Sequence, residues 1–115
     1  MNVLVIVNDQ PYGSERPYNA FRLANALSKR EDVEVRMFLL GDAVACALPG
    51  QQLPEGHYHL DSMLKGLLHR APVACCGTCL DARGLREEQL VEGARRSTLE
   101  GLSEWTLWAD KALVF

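Results

Sequence analysis

Two apolar patterns alternate along the chain. Val3 to Val7 is an unbroken run rich in β-branched residues, the pattern of a strand covered on both faces. The polar turn "NDQPYGS" follows. Ala20, Phe21, Leu23, Ala24 and Leu27 then recur at the spacing of a helix's buried stripe, with Ser14 placed to cap that helix and Pro17 tolerated in its first turn. "VEVRMFLL" (33–40) predicts a second strand, ended by Gly41, and "DAVACAL" a short helix capped by Asp42. Leu60, Met63, Leu64, Leu67 and Leu68 mark another amphipathic helix, ending near Arg70. Pro72 opens a third strand, "PVAC". A weaker strand is expected near "LVEGAR". "STLE" (Ser97–Glu100) fits a capping box for a helix carrying Leu99, Leu102, Trp105 and Ala109, and "KALVF" reads as a last buried strand. Strand and helix in alternation predict an α/β chain with a mainly parallel sheet.

Composition narrows the function classes. The length of 115 residues suits one domain, 1–115. Apolar residues make up 48% and charged residues 23%, an ordinary globular balance. A net charge of −3 gives no reason to expect nucleic acid or an anionic membrane as partner. No apolar run approaches the roughly 20 residues of a spanning helix, and "NVLVIVN" reads as a strand rather than a secretion signal. The stretch 48–58, with "PGQQLPEGH" and no periodicity, is a loop long enough for a lid, a passive surface loop being the alternative.

Three of the four cysteines lie between Cys75 and Cys79, in "VACCGTCLDARG". Neighbouring thiols such as Cys75 and Cys76 rarely bridge, so a reducing cytoplasm is the expected home. Ligands of open α/β sheets bind beyond the carboxyl ends of the strands, which is where Cys76 falls. Backbone N–H groups of a following helix would favour a thiolate there. Gly77 permits close backbone approach, and Arg83 and Arg86 would add positive potential. Cys76 and Cys79 form a C-x-x-C pair, whose two thiols can meet across one turn. Cys46 and Cys75 read as small buried hydrophobes. A structural zinc site needs two such pairs or one pair with closely spaced histidines. Cys75, His57, His59 and His69 are the only further donors of that kind, and no metal or other cofactor is expected. Trp105 and Trp108 are expected in the core or at a subunit contact. The turn "PYGS" lacks the glycine pattern of a phosphate cradle.

Taken together, "PYGSERPYNAFRLANAL", "CCGTCLDARG" and "STLEGLSEWTLWADKALVF" resemble the DsrE/DsrF-like sulfur-relay family over essentially the whole chain. The resemblance implies a three-layer α/β/α sandwich around a mostly parallel sheet of about five strands, assembled as a homotrimer or homohexamer. It also implies a sulfur carrier that takes a persulfide from a donor protein and passes it to an acceptor protein. The position eight before Gly84, where the carrier subunits' motif places the sulfur-bearing residue, is Cys76. Gly77, Thr78 and Arg83 would shape the turn around it, and Tyr12 and Gly13 of the first motif are binding candidates. The carrier subunits have a lone cysteine in this turn, whereas this chain adds Cys79, a candidate resolving thiol. Two further readings stay open at this point. One is a thiol–disulfide redox protein, the other a non-catalytic homo-oligomeric module holding a small ligand at a subunit crevice.

Overall fold

The computed structural model describes all of Met1–Phe115. Five strands form one parallel sheet: β1 Asn2–Val7, β2 Glu34–Leu39, β3 Val73–Cys76, β4 Arg95–Ser97 and β5 Lys111–Val114, in the order β4-β3-β2-β1-β5. The helices are α1 Arg16–Ser28, α2 Leu60–Leu68, α3 Gly77–Ala82 and α4 Leu99–Trp108, with 3₁₀ turns at Gly41–Ala47 and Glu87–Gln89. None is long and apolar enough to cross a membrane.

Strand alternation divides the sheet into two faces. In register, Val3 pairs with Val35, Val5 with Met37, Val7 with Leu39, and Leu39 with Cys75. These side chains belong to a large front core with Phe21, Ala24, Leu60, Leu64 and Leu67 of α1 and α2. On the back face, Leu4, Phe38, Ala74 and Cys76 meet only Leu102 of α4 as a fully packed neighbour. Trp105 completes this smaller core edge-on to Phe38, ring centroids 6.0 Å apart. The Arg36 guanidinium lies over Trp108 at 3.9 Å, capping the outer side of that layer.

Several local expectations shift. The first helix begins after Glu15 without a side-chain cap; Ser14 Oγ instead accepts from the Arg16 N–H at 3.2 Å and donates to Asp9. Leu23 leaves the buried stripe and is exposed. "GDAVACA" forms a 3₁₀ turn whose cap is Leu40, not Asp42. The expected buried last strand, β5, is an edge strand with only Leu113 half-buried, because the sheet ends there and no helix covers it from behind. The weaker strand is Arg95–Ser97, displaced towards the end of "LVEGAR".

Candidate functional site

β3 runs directly into α3 with no intervening loop, so Cys76 is both the last strand residue and the cap of the helix. Its side chain retains 7% exposure among Leu4, Phe38, Ala74 and Leu102. Cys79, one helical turn on, touches both cores and is half-buried. Its thiol neighbours that of Cys76. Burial first, and then the neighbouring Cys76 side chain, hold the Cys79 proton in place and push its thiol above the ordinary range.

The amide that reaches sulfur comes from another element. The Gly41 N–H donates to Cys79 Sγ at 3.1 Å, and Gly41 reaches that position with φ +55, a left-handed turn that glycine adopts without strain. No N–H of α3 caps the Cys76 side chain, contrary to the expectation that helix-start amides would hold the thiolate. At six residues, α3 is too short for its dipole to outweigh a full charge nearby.

That charge belongs to Arg96 on β4, a residue the sequence reading passed over. Its guanidinium grips Asp81 of α3 through two bonds of 2.8 Å and crosses the bare Cα of Gly77. A Cβ there would lie 2.8 Å from Nε and 2.9 Å from Cζ. Asp81 chiefly, with Cys76 and Glu87 adding to it, holds Arg96 in its charged form. Arg83, the cation expected here, stays beside Cys79, and its charge works against the burial that raises that thiol. Its Nη2 donates to Asp42 at 2.7 Å and its Nη1 to the Cys79 carbonyl at 2.9 Å. Arg86 pairs with Glu88.

Among the other candidates, Gly77 is buried beneath Arg96 and Thr78 is exposed on the first turn of α3. Tyr12 has φ +64, and its hydroxyl donates to Gln51 and accepts from the Leu60 N–H at 3.0 Å. The bare Cα of Gly13 leaves room for the Gln10 side chain. Gln51 also donates to the Cys46 and Leu48 carbonyls and accepts from the Asp61 N–H, which pins the long loop to the body. An open groove of about 570 Å³ runs between Gln10, Pro11, Asp42, Ala45, Arg83 and Leu85. Its wall adjoins Cys79 through Arg83 and the Gly41–Asp42 turn. No three His, Cys, Asp or Glu side chains come together as an ion site.

Comparison with known proteins decides the family. The DsrE/DsrF-like family model matches residues 1–115. The chain belongs to the DsrE/DsrF-like family. Within it, protein YchN of Escherichia coli (strain K12) is 43% identical over 115 residues, spanning 98% of this chain and 97% of its own. An uncharacterized protein of Methanocaldococcus jannaschii is 36% identical over the full length of both. The crystal structure of the E. coli YchN protein superposes with a TM-score of 0.93 at 42% identity, covering 100% of this chain and 99% of that one. A protein of unknown function from Methanobacterium thermoautotrophicum shares the fold, at TM-score 0.76 and 13% identity. The DsrE/DsrF-like assignment and the five-stranded parallel sheet agree with what the three sequence motifs implied.

Proposed function

We propose that the chain is a sulfur-relay protein that carries a persulfide on Cys76. The observation that carries this reading is the placement of Cys76 Sγ. It sits at the carboxyl end of β3, with hydrocarbon on one side and the Cys79 thiol and the Arg96 charge on the other. The Cys76 thiolate attacks the outer sulfur of a donor persulfide, R–S–S–H. A new S–S bond forms to Cys76, the donor's S–S bond breaks, and the donor leaves as R–S⁻, which takes up a proton from water. Passing the sulfur to an acceptor thiolate repeats the exchange in the other direction.

Cys79 adds a second outcome. Once its proton is lost, its thiolate attacks the inner sulfur of the Cys76 persulfide, expels hydrosulfide and leaves a Cys76–Cys79 disulfide. A dithiol reductant then resets the pair by taking up the oxidation. The nearness of the two thiols across one helical turn supports this reductive release.

Self-association, as a homotrimer or homohexamer, fits the thinly covered back of the molecule, where Leu107 is 86% exposed and Leu99 69%. Four free cysteines suit a reducing cytoplasm.

The test is incubation of the reduced protein with a persulfide donor, followed by mass spectrometry for an adduct of about 32 Da, one sulfur atom. The adduct is expected on the native chain and on Cys79→Ser, and absent from Cys76→Ser. Full labelling of Cys76→Ser would sink the assignment. Thiols inert throughout would favour the non-catalytic binding module.

A further inference from the structure

We infer that Arg96, braced by Asp81 and seated over the bare Cα of Gly77, is the cation that holds negative charge on the Cys76 sulfur, as thiolate before transfer and as perthiolate after it. The inference rests on the reading of Cys76 as the sulfur-bearing residue.

Three features of the geometry converge on it. Cys75 and Arg96 are register partners across β3 and β4, and Cys76 pairs with Ser97, so pairing brings Arg96 to the end of β3, where its guanidinium leans over Gly77, the residue after Cys76. The two 2.8 Å bonds to Asp81 fix its plane, and bidentate carboxylate contacts leave little rotational freedom. The Arg96 backbone N–H is tied as well, donating to Glu87 Oε2 at 2.6 Å. Gly77 is the third feature. Any side chain there would meet the guanidinium below 3.0 Å, so glycine in this helical position makes space for the cation.

The groups that face Cys76 are few. Cys79 presents its thiol from α3 and Arg96 its charge from β4, while Cys75 on the same strand points into the front core. Asp81 and Glu87 are both bound to Arg96, the first at its guanidinium and the second at its backbone N–H. Arg83 is the second cation of the turn: it is tied to the Cys79 carbonyl and to Asp42, and its charge acts on Cys79. The Arg96 side chain is 42% exposed, so part of its field is lost to water and salt.

The experiment measures iodoacetamide alkylation of Cys76 against pH in the full-length chain, with the modified residue located by peptide fragment ions. Arg96→Gln is expected to slow alkylation at neutral pH by roughly threefold to tenfold and move the midpoint of the profile to higher pH. Arg96→Lys keeps the charge without the fork and recovers most of the rate. Gly77→Ala displaces the flexible guanidinium at little cost to folding and acts in the same direction as Arg96→Gln. A native rate and midpoint in both Arg96→Gln and Gly77→Ala would overturn the inference. If Arg96→Gln fails to fold, a salt titration of the native chain decides, from about 0.02 M to about 0.5 M. A rate that falls with salt supports Arg96; an unchanged rate removes it. The persulfide reading fails separately. If the native chain takes no sulfur from a donor while Arg96→Gln still slows alkylation, the relay is wrong, the perthiolate role falls with it, and the thiolate role stands.

Discussion

Cys75 and Cys76 are adjacent on one strand, yet they belong to opposite faces of the sheet. Cys75 is fully buried in the front core, and desolvation above all pushes its thiol up to about 12. Cys76 is in the thin back core with Cys79 packed against it, and the next residue, Gly77, lies under the Arg96 guanidinium. The two sites teach that position along a strand does not set a cysteine's chemistry. The layer above it does. Front residues are sealed by two helices and the 3₁₀ turn, whereas the back face has α4 alone, and the end of β3 opens onto α3.

The sharpest way to break this contrast is to let the two thiols compete. At pH 8 a thiol near 12 leaves about one molecule in ten thousand ionised, and the core shields that fraction from reagent. Native Cys75 is expected to alkylate at least about a thousandfold more slowly than Cys76, and at a full thiol rate once urea opens the fold. Equal native rates would erase the distinction. The pH dependence has a definite sign. The folded chain keeps a Cys75 proton that the unfolded chain releases near 9.0. The stability gained from burying the neutral thiol is therefore whole below about pH 9 and falls as pH climbs towards 12. Cys46, also pushed up to about 12 by burial, adds to the same loss.

Packing on the two faces should differ in the same sense. Phe21 is fully buried between α1 and the front of the sheet, and Phe21→Ala is expected to cost about 3–5 kcal/mol in urea unfolding. Leu107 on α4 is largely in solvent, so Leu107→Ala should stay within about 0.5 kcal/mol. Any larger effect of Leu107→Ala that appears only at high protein concentration would place it in a contact between copies. A Phe21→Ala cost near that of Leu107→Ala would mean that the front core is not the main source of stability.

The sheet's centre was legible because parallel strands buried on both faces need apolar residues at every position, as "VLVIV" and "MFL" supply. The same logic misled at β5. "ALV" looks like any buried strand, but its place at the edge follows from strand order, which no local period records. β4 was faint for the opposite reason. "RRS" has no apolar residue and is a strand only because β3 offers its ladder bonds. Spacing and motif single out Cys76 and Cys79 as candidates. Arg96 is not singled out, since the link to Cys76 runs through register pairing and the Asp81 clamp. Arg83 and Arg86 lay nearer in sequence and drew the assignment. Two signals were present nonetheless: a glycine directly after Cys76 and an aspartate one helical turn further on.

The smallest expected effect tests the strand that sets Arg96 in place. "STLE" offers Ser97 as helix cap with Glu100 as its reciprocal partner, yet Ser97 pairs with Cys76 in the sheet. The chain leaves the strand one residue later, and Thr98 Oγ1 accepts from the Gly101 N–H at 3.1 Å. Thr98→Ala is therefore expected to lower the unfolding free energy by about 1 kcal/mol, and Ser97→Ala by only a few tenths, since no hydrogen bond to its hydroxyl caps the helix. Paired urea midpoints measure both. The reverse order would move the cap to Ser97 and end β4 at Arg96. The guanidinium would then hang from a fraying terminus instead of a paired strand, and the back face would lose the support that sets Cys76 apart from Cys75.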